Sequence, residues 1–142
     1  MGVLFSNVNG EFKIYPVNNP NKPSFYVDKA GNIKSKKKVT IVTAANVTAT
    51  VNDDAFVFYG LSANKTVTLP TAVGNKGCSF QFGKEGSGSA GIVAAASGQT
   101  IAGLSSVSIS GTHKGFTCVS DNARWLMLNC SDNLTTDGVV SV

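Results

Sequence analysis

Long straight-chain residues are scarce in this 142-residue sequence, which has two Glu, two Gln, two Met and a single Arg, and charged residues make up only 14% of it. Those are the residues that favour helices, so a helical bundle is excluded first. Histidine is limited to His113, in the turn Ser110-Gly111-Thr112-His113-Lys114-Gly115. A hydrolase of the Ser–His or Cys–His type needs a base beside its nucleophile, and a His between glycines reads as a solvated turn residue. Carboxylates are as sparse. Glycosidase chemistry needs two of them about 5 to 9 Å apart, whereas Asp53-Asp54 are adjacent and would point to opposite faces of a strand. They read as turn residues, as does Asp121 in Ser120-Asp121-Asn122-Ala123. No catalytic set emerges, and the chain reads as a non-enzyme.

Cys78, Cys118 and Cys130 are odd in number and contain no CxxC spacing, which fits neither a disulfide framework nor a zinc site. They read as small apolar core residues, with Cys118–Cys130 the alternative pairing. No metal or cofactor is expected. No apolar run approaches the roughly 20 residues that span a bilayer, and the N-terminus lacks a basic region followed by an apolar stretch. The reading is a soluble, unprocessed chain made in the cytoplasm, with no membrane partner.

What is abundant is Val (17), Thr (12), Gly (15), Ser (15) and Asn (13). Branched residues suit a pleated surface and the others suit turns, so the fold class is all-β: a compact sandwich- or barrel-like domain of short strands. Residues 1–38 carry seven Lys against Glu11 and Asp28, a balance of +5, while residues 39–142 sum to −1. A boundary therefore falls near Lys38, dividing an N-terminal arm and hairpin (1–38) from a β-domain (39–131) and a C-terminal tail (132–142). In the first part, Glu11-Phe12-Lys13-Ile14-Tyr15 alternates as a strand. Pro16, Pro20 and Pro23 then impose an extended arm, and Phe25-Tyr26-Val27 with Ile33-Lys34-Ser35 flanks a turn at Gly31-Asn32.

Nine short strands follow, at 39–43, 46–51, 55–59, 66–69, 79–82, 91–95, 107–109, 116–119 and 125–128. Ala55 to Tyr59 is apolar throughout and is expected to be covered on both faces, by core and by another subunit. The apolar tail Gly138-Val139-Val140-Ser141-Val142 is expected to pair with an edge or a neighbour. Gly86-Ser87-Gly88-Ser89-Ala90-Gly91 matches a dinucleotide-binding fingerprint in letters. It lacks the following helix and the acid about twenty residues on, and reads as a hairpin loop.

The run Lys34-Ser35-Lys36-Lys37-Lys38 has no interleaved aromatics or Arg with which to read bases. It reads as a solvated face or a seat on an acidic protein partner rather than a nucleic-acid site. Asn46, Asn64, Asn129 and Asn133 begin N-x-S/T triplets, which are incidental in so Asn- and Thr-rich a chain.

One ordered set of motifs goes further. Thr66-Val67-Thr68-Leu69-Pro70, Gly74-Asn75-Lys76-Gly77 and Ser79-Phe80-Gln81-Phe82 are followed by Gly98-Gln99-Thr100-Ile101-Ala102-Gly103 and by Ser120-Asp121-Asn122-Ala123-Arg124-Trp125. Over residues 64–128 this order resembles a β-module of bacteriophage virion proteins, found in capsid decoration and tail-fibre proteins. The chain departs from that pattern at Asn122-Ala123-Arg124, where Gly is common. The resemblance implies a homotrimer on the capsid surface of the virion, a decoration (cement) protein contacting the major capsid protein and stabilising the head shell. The alternative is a short tail-fibre or receptor-binding tip whose exposed turns meet a host receptor. Expected capsid or subunit contacts are Lys34, Lys36, Lys37, Lys38, Phe12, Tyr15, Phe56 and Phe58.

Overall fold

The scarcity of helix formers carries through to the architecture: every regular element among the described residues is a strand. The computed structural model describes residues 3–8, 10–16, 25–27, 29–35, 37–131 and 139–141, and the chain divides into units 1–37 and 38–142.

In the first unit, β1 (Val3–Val8), β2 (Glu11–Pro16), β3 (Phe25–Val27) and β4 (Ile33–Ser35) form an antiparallel sheet in sequence order. Gly10 (φ 76°) and Gly31 (φ 82°) occupy the turns before β2 and β4, where an L side chain would be strained. The expected hairpin is present, with Val27 opposite Ile33. The extended arm expected at 17–24 lies outside the described residues. The strand β1 in front of it was not anticipated, because Leu4-Phe5 and Ser6-Asn7 cluster by type instead of alternating.

The second unit contains β5 (Val39–Val42), β6 (Val47–Thr48), β7 (Ala55–Tyr59), β8 (Lys65–Thr68), β9 (Ser79–Glu85), β10 (Gly91–Ala94), β11 (Ser106–Ile109), β12 (Lys114–Ser120), β13 (Trp125–Leu128) and β14 (Val139–Ser141). They make two five-stranded mixed sheets, ordered β13-β12-β9-β7-β5 and β14-β11-β10-β8-β6. From β5 to β10 the chain alternates between the sheets, so β5, β7 and β9 stack in parallel on one side and β6, β8 and β10 on the other. The result is three coils of a flattened parallel winding. Beyond it, β11 to β14 return antiparallel and extend each sheet. The C-terminal strand β14 pairs with β11, Val139 opposite Ile109, and so forms the edge of this sheet.

The coils are tied by amides as well as by ladders. The Asn46 side-chain carbonyl accepts the Thr66 N–H at 2.9 Å, and Asn64, at the same corner one coil on, accepts the Ala90 N–H at 3.0 Å. Two of the glycosylation-like triplets thus supply corner acceptors for N–H groups at coil ends.

The core is asymmetric. One sheet presents Phe56, Phe58, Phe80, Phe82, Phe116 and Trp125 inward, and the other presents Val67, Val93, Val107 and Ile109, all buried. Large rings facing small aliphatics fill the gap between the sheets. The rings also touch one another: Phe56 stacks on Phe82 with centroids 5.6 Å apart, and Phe80 tilts against Trp125 at 5.3 Å. Cys118 joins this core as a free thiol, its pKa pushed up to about 12 by burial, and Cys78 and Cys130 are also unpaired.

Candidate docking face

Alternation along the aromatic-lined sheet sets its outer face. Because Phe56 and Phe58 point inward on β7, Ala55, Val57 and Tyr59 point outward, and cross-strand register places Val39 beside Ala55 and Ile41 beside Val57. At the opposite edge Leu128 stands outward on β13. Val39, Ile41 and Tyr59 are 54%, 56% and 57% exposed and Leu128 is 47% exposed. These are large apolar side chains gathered on one sheet, and among the described residues β5 is an edge strand of that sheet.

The expected contact residues fall elsewhere. Phe56 and Phe58 are 1% and 0% exposed, so they are core residues and cannot meet a partner. An apolar strand buries its larger ring series, and its smaller alternate series faces out. Phe12 is 38% exposed on β2. Tyr15 lies three positions along the same strand. Lys34 lies on β4, Lys37 and Lys38 lie between β4 and β5, and Lys36 lies outside the described residues. Strand β4 ends at Ser35 and β5 begins at Val39, so Lys37 and Lys38 are not strand residues.

Lys38 is engaged within its own unit. Its ammonium is 2.5 Å from Asp53 Oδ1, and its backbone N–H donates to Asp54 Oδ2 at 2.6 Å. Asp53, only 7% exposed, also accepts from the Thr50 N–H (2.8 Å) and hydroxyl (2.9 Å). The adjacent carboxylates thus do turn chemistry and fasten the start of β5. Burial raises the Asp53 pKa, but hydrogen bonds from Lys38 and Thr50 outweigh it and hold the carboxyl below its ordinary 3.8. A group depressed in the folded state stabilises fully above its unfolded pKa, and that contribution is lost as pH falls through the folded value. Asp53→Asn should cost about 1–2 kcal/mol at neutral pH. The difference from the parent should shrink as pH falls below about 4. Urea titrations across that range check this, and parallel stability–pH curves for the two proteins would refute it.

Asp121 closes the turn before β13, accepting from the Ala123 and Arg124 N–H groups at 2.8 Å each, and these bonds hold its carboxyl low. On the outer face, His113 Nδ1 lies 2.9 Å from Glu85 Oε2, both side chains well exposed. Sequence reasoning missed Val39, Ile41, Tyr59 and Leu128 as surface residues, although the alternation of Val39 and Ile41 with Thr40 and Val42 already placed the first two on a common face. Among the described residues no three His, Cys, Asp or Glu side chains gather as a metal site. Comparison with protein-family models and with curated proteins gives no match, so the reading of this face rests on its own geometry.

Proposed function

We propose that this chain is a bacteriophage virion structural protein, a capsid decoration protein that trimerises and stabilises the head shell. The observation that carries the reading is the apolar margin at the β5 edge, where Val39, Ile41 and Tyr59 are each more than half exposed. Such a margin on an edge strand is suited to a second copy of the chain, whose approach would remove both the apolar area and the strand edge from water. A trimer that spans neighbouring major capsid protein subunits adds interface free energy to the shell and opposes outward pressure, with no catalytic step. Exposed Lys37 and the other lysines near the unit boundary supply positive charge for an acidic partner surface.

Light scattering at micromolar concentration should give three times the 14.7 kDa chain mass, and Ile41→Lys should give the monomer. Mixing the protein with undecorated phage capsids should deplete it from solution. A monomeric parent that leaves capsids bare would end this reading. The second reading, a receptor-binding tip, is favoured by a trough beside the turn 110–115 on the same sheet; depletion by host cells instead of capsids would select it.

A further inference from the structure

Strands β9 and β12 run antiparallel with Gly83 opposite Gly115 and Gln81 opposite Thr117. At the glycine pair neither strand carries a side chain, and a cavity of about 350 Å³ opens there. A methyl group at Gly83 would meet no atom within 4 Å, so the space above it is open. Gln81 and Thr117 line one part of this trough, Glu85, His113 and Lys114 another, and Asn129 and Ser131 a third. It lies on the β9–β12 half of the sheet and borders the margin assigned to trimer contact, because Val57 and Tyr59 of β7 pair with Gly83 and Glu85.

The lining is built. The Ser131 hydroxyl accepts from the Gly115 N–H at 2.8 Å and donates to the Gly115 carbonyl at 3.0 Å, and its own N–H donates to that carbonyl at 2.9 Å. This clamps the segment after β13 to β12. His113 (φ 60°) and Asn129 (φ 51°) both hold left-handed backbone, which is uncommon away from glycine and collects at functional sites. The Gln81 and Asn129 amides and the Thr117 hydroxyl have no hydrogen-bond partner among the described residues.

The donor set selects a ligand class. Amides and hydroxyls both donate and accept, as sugar hydroxyls do. Glu85 and Lys114 both line the trough, so their opposite charges offset and favour no anion, and an apolar ligand would leave the amides unpaired on desolvation. The open space above Gly83 can receive the C–H face of a ring, and the volume is at the small end of ligand sites, enough for one or two rings. We propose that this trough binds a neutral saccharide through Gln81, Thr117, Asn129 and the His113–Glu85 pair. This goes beyond the structural role proposed above and does not depend on it.

The test uses the full chain labelled with ¹⁵N and titrated with glucose, galactose, mannose, N-acetylglucosamine and their disaccharides up to about 50 mM, a range that detects millimolar binding. At least one should shift the Gln81, Gly83, Thr117 and Asn129 amides together. Gly83→Val fills the trough at a strand position with open space, so it should melt no lower than the parent, keep the trimer mass and weaken that sugar about tenfold or more. Gln81→Ala should weaken it about three- to tenfold, the effect of one hydrogen bond. No concerted shift with any of these sugars, or binding undiminished by Gly83→Val, would overturn the proposal. A response to N-acetylneuraminic acid alone would overturn the neutral class. The oligomeric mass of the parent is read separately, so failure here and failure of the trimer reading are distinguishable.

Discussion

Trp125→Ala should lower the unfolding free energy by about 3–5 kcal/mol, the range for truncating a fully buried ring. The indole is 0% exposed and packs on Phe80, while its Nε1 donates to the Pro70 carbonyl at 3.2 Å. Its backbone is equally committed: the N–H donates to Thr100 and the carbonyl accepts from Ala102, so residues 100–102 are laid alongside β13. A cavity here removes ring contacts and loosens the seam between the corner 98–103 and the sheet. For a domain of this size such a loss is a large share of the whole stability. Trp125→Phe should cost less, about 1–2 kcal/mol, because most of the ring contact survives while the Pro70 carbonyl loses its donor. Urea unfolding followed by far-UV circular dichroism reads both variants without relying on the lost fluorophore. An Ala variant within about 1 kcal/mol of the parent would show that the corner holds without the indole.

Strand positions were legible wherever polar and apolar residues alternate. Val39-Thr40-Ile41-Val42 and Phe80-Gln81-Phe82 are found as strands with alternate faces, and Trp125, the chain's one tryptophan, is fully buried. Pairing was less legible. Parallel stacking of β5, β7 and β9 joins residues such as Val39, Ala55 and Gln81, which no local pattern links, so a two-sided winding cannot be told from a hairpin sandwich by spacing alone. Ala55-Phe56-Val57-Phe58-Tyr59 also gave no inward or outward signal, being apolar at every position. Ring size decided it, and the candidate contacts moved from Phe56 and Phe58 to the β5 margin and Tyr59. The trough was invisible for a related reason: Gly83 and Gly115 each look like ordinary turn or strand glycines until β9 and β12 place them face to face.

Gly91→Ala provides the sharpest test of the core, because two effects of opposite sign compete there. Gly91 is buried on β10, and its φ is not in the left-handed region, so alanine fits the backbone. By restricting the unfolded chain the substitution would then stabilise by about 0.4–1 kcal/mol. A Cβ at this position, however, would stand 2.3 Å from Cγ and Cδ2 of Phe58, a side chain that is itself 0% exposed. The ring must shift within a close-packed interior, and overpacking of that kind costs about 1–3 kcal/mol or more. Steric cost wins, and the net result should be a destabilisation of about 1–2 kcal/mol. Gly83→Ala is the control: with no atom within 4 Å of the new methyl, only the unfolded-state effect operates and stability should rise by a few tenths of a kcal/mol or more. If the Phe58 contact is the cause, Phe58→Leu should relieve it. The double variant Gly91→Ala/Phe58→Leu should then be more stable than the sum of the single losses by about 1 kcal/mol. Strict additivity in that cycle would show that Gly91 is required for some reason other than the ring it faces.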